Sequence, residues 1–141
     1  MKWQAATLAI AQMFAFIACA SAGSPADPSV KLDQAFSLKV GTSASVDGEG
    51  IEIGFDSVVS DSRCPKGAQC IVAGEATIRI WLTRTGQARE TRELKTNPPD
   101  AAQTSIGSYR VTLTSLMPEP TVDGAPRASD YVATLVVARL P

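Results

Sequence analysis

The chain has 141 residues, 45% of them hydrophobic, with thirteen basic and fourteen acidic side chains and no histidine. That length carries one domain once an N-terminal segment is set aside, and the near-balance of scattered charges argues against a polyanion such as nucleic acid as partner. The missing histidine excludes Ser-His-Asp and Cys-His catalysis within this chain and removes the commonest metal ligand.

Residues 1–22 have the layout of a secretory signal: Lys2 in a short n-region, an apolar stretch from Ala5 to Ala18 broken by Thr7 and Gln12, then small residues. Two exit points compete. Ala20-Ser21-Ala22 would release a chain starting at Gly23, whereas Phe16-Ile17-Ala18-Cys19 has the form of a lipobox, in which Cys19 becomes the lipidated first residue. The lipoprotein reading is preferred, because it gives a cysteine at the end of a hydrophobic leader a reason to be there. Residues 23–32 read as a linker and 33–141 as a single domain. Without Lys2 that remainder has twelve basic against fourteen acidic side chains.

Beyond the linker the periodicity is two. Phe36, Leu38 and Val40 alternate with polar residues; Ala44 and Val46 form a weak second strand. Asp47-Gly48-Glu49-Gly50 reads as a turn. Ile51, Ile53 and Phe55 share a face of the next strand, which continues through Val58 and Val59 after a bulge expected near Gly54. Residues 60–74 read as a loop. Ala76, Ile78, Ile80 and Leu82 then alternate with Thr77, Arg79, Trp81 and Thr83, the clearest half-buried strand.

After Thr85-Gly86 comes a charged strand around Arg89–Leu94, expected at a sheet edge. Residues 96–107 read as a long loop. Tyr109, Val111 and Leu113 alternate again, the prolines between Pro118 and Pro126 mark another loop, and a last strand runs from Tyr131 to about Ala138. About seven strands and no helix predict an all-β, antiparallel, immunoglobulin-like sandwich, with a closed barrel as the alternative. The expected core includes Phe36, Leu38, Ile53, Phe55, Ile78, Ile80, Val111, Leu113 and Leu135.

Two of the three cysteines, Cys64 and Cys70, lie in the 60–74 loop. In an oxidising compartment they read as a local structural disulfide. Cys64-Pro65-Lys66-Gly67 suits a type I turn that brings Cys70 back. The spacing is not the C-x-x-C that depresses a thiol pKa, so a thiol-redox protein is the lesser reading. Arg63 offers a planar fork for a carboxylate or phosphate. The plainer role is a loop clamp, paired with Asp61, Asp56 or Glu75. Asp47 with Glu49, and Glu90 with Glu93, are the close acidic pairs that a carboxylate-dependent hydrolase or a calcium ion would need, but both fit solvated turns or polar strands. Trp81 could stack on a sugar or a partner, or cover its own sheet.

The segment from Phe55 to Ala76 resembles a set of small bacterial exported proteins and lipoproteins of uncharacterised function. The shared pattern is F-x-x-V, D-S-R-C-P, a second cysteine and G-x-A, carried here by Phe55, Val58, Asp61, Ser62, Arg63, Cys64, Pro65, Cys70, Gly74 and Ala76. Tyr109, Pro118, Pro120 and Tyr131 fit its downstream pattern. Many relatives have tryptophan where this chain has Val72. The resemblance implies envelope location and no particular activity.

The expectation is therefore a monomeric envelope protein, periplasmic or tethered to the outer membrane through Cys19. It binds an envelope protein or ligand without catalysing a reaction, and meets the membrane only through its lipid. No catalytic residue, metal or cofactor is assigned. Asp61, Arg63 and Glu75 are the candidate binding or clamp residues.

Overall fold

The computed structural model describes residues 28–141. The leader, with Cys19 and both cleavage positions, lies outside the described residues. Nine strands follow one another: β1 Ser29–Val30, β2 Ala35–Lys39, β3 Ser43–Val46, β4 Ile51–Asp61, β5 Ala76–Arg84, β6 Glu90–Lys95, β7 Gln103–Ile106, β8 Tyr109–Met117 and β9 Val132–Arg139. They form a five-stranded sheet in the order β1-β3-β4-β5-β6 and a four-stranded sheet in the order β2-β9-β8-β7. All neighbours are antiparallel except the short β1–β3 pair.

The two sheets face each other, and no barrel closes. The architecture is the expected antiparallel sandwich. Its strand order is two meanders, β3 to β6 and β7 to β9, in place of the immunoglobulin arrangement.

Alternation builds the core. Ala76, Ile78, Ile80 and Leu82 of β5 all point inward and are buried, as are Ile51, Ile53 and Phe55 of β4. From the other sheet come Leu38, Val111, Leu113, Ala133, Leu135 and Val137. Phe36, expected inside, is only partly buried and packs at the margin, since β2 is an edge strand with little beyond it.

The bulge expected near Gly54 falls between Phe55 and Ser57, and a second lies between Val58 and Ser60. Gly54 stays in register opposite Trp81, whose ring lies so close that a Cβ on Gly54 would sit 2.0 Å from it. That glycine makes room for a ring that covers the sheet and carries the Arg89 guanidinium 3.7 Å above its centroid. The segment 96–107 is not all loop: a 3-10 turn at Pro99–Ala102 leads into β7. The ordered sheet also begins at Ser29, inside the expected linker.

The charged strand is where predicted. β6 forms the edge of the larger sheet, and Glu90, Arg92, Glu93 and Lys95 discourage pairing with another chain.

Candidate functional site

β4 ends at Asp61, and the chain leaves the sheet through Ser62 and Arg63. The Arg63 side chain folds back on Asp61 as a two-pronged pair: Nε donates to Oδ1 at 2.9 Å and Nη2 to Oδ2 at 2.7 Å. The Arg63 backbone N–H adds a third bond to Oδ1 at 3.2 Å. The guanidinium also reaches the opposite sheet, where Nη1 donates to the Leu116 carbonyl at 2.7 Å and Nη2 to the Pro118 carbonyl at 2.9 Å. Tyr131, just before β9, donates its hydroxyl to Asp61 Oδ2 at 2.9 Å.

The Asp61 and Arg63 side chains are 5% and 13% exposed, so the pair is largely shielded and sits in a network rather than alone. Burial alone would raise the Asp61 carboxyl. Hydrogen bonds from Arg63 and Tyr131, with the Arg63 charge, outweigh it and hold the group below its usual range. Burial and the bond to Asp61 push the Tyr131 hydroxyl up to about 12. Arg63 is a clamp between the two sheets. Of its predicted partners it takes Asp61 alone. Glu75 turns the other way and pairs with Lys95 at 2.6 Å, because Ala76 starts β5 beside the end of β6.

The disulfide loop rises from this clamp. Cys64 and Cys70 are bonded, with Cα atoms 5.9 Å apart. The legs of the loop continue the β4–β5 ladder: the Ser62 N–H donates to Glu75 O at 2.8 Å and the Cys64 N–H to Ala73 O at 2.9 Å. Gly74 permits this closure. Its φ is +67°, and a Cβ there would lie 1.9 Å from the Ser62 carbonyl oxygen. The turn forms one residue later than expected, from Pro65 O to Ala68 N at 3.0 Å, because Gly67, at φ +92°, takes its third position.

A second loop, residues 118–126, braces the first. The Lys66 N–H donates to Pro120 O at 2.8 Å, and Val122 lies beside Gly67. The braced tip is apolar. Ile71 and Val72 are 105% and 76% exposed, and Val122 is 65% exposed. Val72 stands where many of the similar exported proteins have tryptophan. Ile71 and Val122 went unnoticed, though an Ile-Val pair next to a disulfide inside a polar loop was the available signal.

The opposite end holds a second cluster that the sequence reading missed. Glu49, in the β3–β4 turn, accepts a hydrogen bond from the Tyr109 hydroxyl, and Arg139 Nη2 donates to its two oxygens at 2.9 and 2.7 Å. The Tyr109 and Arg139 bonds hold the Glu49 carboxyl below its usual range. The expected Asp47–Glu49 pair is thus divided, with Glu49 committed to the other sheet. Glu90 pairs with Arg92 and Glu93 with Arg79. Among the described residues, no group of three or more His, Cys, Asp or Glu side chains is placed to hold a metal.

Compared with protein-family models, curated proteins and solved structures, the chain matches none.

Proposed function

We propose that this chain is a non-enzymatic binding module of the bacterial cell envelope, which holds a partner protein on the apolar tip of its disulfide loop. The leader layout and the likeness of the D-S-R-C-P segment to small exported proteins support the location. The observation that carries the binding role is the exposure of Ile71 and Val72 on a loop held by the Cys64–Cys70 bond, the ladder to Ala73 and Glu75, and the brace to Pro120. Apolar side chains fixed in water by so many constraints are pre-ordered for a partner, so little loop entropy is lost on docking. Asp61 and Arg63 are spent on holding the scaffold, which argues for a supporting role beneath the tip.

Each tip side chain, fully buried by a partner, is worth about 1.5–3 kcal/mol, or roughly a tenfold to hundredfold change in affinity. The test is a photo-crosslinking amino acid at Val72, and separately at Gln87 at the other end of the sandwich, in cells exporting the full chain. A discrete adduct at position 72, absent at 87 and lost when Ile71 is changed to Ser, supports the reading. Equal labelling at both positions, or none at 72, overturns it.

A further inference from the structure

The geometry points to a second binding site, on the outer face of the larger sheet: Arg89, seated on Trp81, and the polar cleft beside them bind an acidic saccharide of the uronic acid type. The strand registers lay two rows of residues across this face. Ser43, Gly54, Trp81 and Thr91 stand side by side in one, and Ser45, Glu52 and Thr83 in the next. The half-buried indole of Trp81 fills the room over Gly54. The exposed Arg89 rests on that ring, its guanidinium carbon 3.7 Å from the centroid.

The arginine selects an anion. Arg63 and Arg139 are fixed by carboxylates, whereas Arg89 is fixed by a ring and makes no ion pair among the described residues. The acids nearest it in the chain are committed elsewhere. Glu90 pairs with Arg92, both opposite inward-facing residues of β5, and Glu93 pairs with Arg79. Stacking on the indole uses the face of the guanidinium and leaves its N–H donors unspent, and a carboxylate takes two of them side by side. The cleft selects the rest of the ligand. It measures about 350 Å³, the size of a small-ligand site, and Ser45, Glu52 and Thr83 of the second row help to line it. Glu52 has no ion-pair partner among the described residues, and its Oε1 accepts a bond from the Ser43 hydroxyl at 3.1 Å. Hydroxyls and a carboxylate with lone pairs to spare suit sugar hydroxyls, which both donate and accept. Glu52 repels a negative charge in the cleft itself, so the ligand's carboxylate lies at Arg89 and its hydroxyls lie over the cleft. The inference shares the view of the domain as a binding module but uses none of the tip residues.

The probe is trigalacturonate, titrated by calorimetry into the full chain at low salt. Its methyl ester keeps the hydroxyls and loses the charge; glutarate keeps the charge and loses the sugar ring. Each should bind at least about tenfold more weakly than trigalacturonate. Arg89→Lys keeps a charge without the planar fork and should weaken trigalacturonate binding by a similar factor. Gly54→Ala, which displaces the indole under Arg89, should do the same. Ile71→Ser with Val72→Ser should leave binding intact, which keeps the failure of this site separate from failure of the tip. Arg89→Lys, at an exposed position, decides the matter if Gly54→Ala does not fold. No binding of trigalacturonate, equal binding of the ester or of glutarate, or undiminished binding to Arg89→Lys would each overturn the proposal.

Discussion

Tyr109 and Tyr131 stand at opposite ends of the sandwich, and each gives its hydroxyl to a carboxylate of the opposite sheet. Tyr131 bonds Asp61 at the end of β4, and Tyr109 bonds Glu49 just before its start. Each carboxylate also holds an arginine, Arg63 at one end and Arg139 at the other. The same three-part latch, tyrosine, acid and arginine, is thus built twice from unrelated stretches of chain, about the length of an eleven-residue strand apart.

The two latches should not cost the same to break. Asp61→Ala leaves a shielded guanidinium without its counter-charge, and should destabilise by about 3–5 kcal/mol. Tyr131→Phe removes one hydrogen bond to a charged acceptor, about 1.5–3 kcal/mol. Arg139 is 60% exposed, so Arg139→Ala should cost the least of the three. Urea unfolding of the three variants checks the order. An Arg139 effect larger than that of Asp61 contradicts the account.

Both ends predict pH dependence. The Asp61 and Glu49 carboxyls lie below their unfolded values in the folded chain. The unfolded state therefore binds more protons in acid, and the stabilisation is present above the unfolded pKa of about 4 and is lost as pH falls through the lowered folded values. Tyr131 acts in the opposite sense. Its folded pKa is raised to about 12, so its contribution is complete below the unfolded value of about 10 and is lost as pH rises from there through the folded value. Unfolding curves across pH should show both limbs, and Tyr131→Phe should remove the tyrosine part of the alkaline one.

Gly54 and Trp81 give a spectroscopic prediction. The chain has two tryptophans, Trp3 and Trp81, and a protein prepared from Gly23 onward keeps only Trp81. Gly54→Ala places a methyl where the indole sits and must displace the ring. The expected result is a red-shifted emission with the fold retained by circular dichroism. Gly41→Ala meets no atom within 4 Å, although its φ is +81°, and should leave the emission unchanged.

Replacing Cys64 and Cys70 together by alanine should lower stability by about 2 kcal/mol, the loop-closure contribution for so short a loop. The Arg63 bonds lie outside the closed ring and should persist. Amide exchange should quicken at residues 65–73 while β4, β8 and β9 stay protected. Loss of protection throughout the sandwich would mean that the bond holds the whole fold and not its tip.

How much of this was legible follows from distance along the chain. Strands β4, β5, β8 and β9 carry several inward aliphatic residues at period two, so one segment suffices to find them. β7 has one buried residue, Ile106, among polar ones, and β1 has two residues in all; their strand character comes from their neighbours. Asp61 with Arg63 was readable because a single residue, Ser62, separates them. Glu49 meets Tyr109 and Arg139 across 60 and 90 residues, and no local pattern announces such a meeting. Exposure of Ile71 and Val72 is likewise a property of the folded loop, since apolar residues in a sequence are ordinarily expected inside.

A plate held by one pin can swivel; held by two it cannot. With a latch at each end, the two sheets are denied rotation about the core as well as separation. Loss of the Glu49 latch would leave the sheets pivoting on the Asp61–Arg63–Tyr131 pin. The angular freedom gained at the far end would displace atoms little at the pin and most beside Glu49. The disulfide loop rises directly from that surviving pin, so its tip should keep its shape while the distant turns fan apart. The arrangement makes the loop end the fixed point of the molecule, the part that moves least when the rest is perturbed.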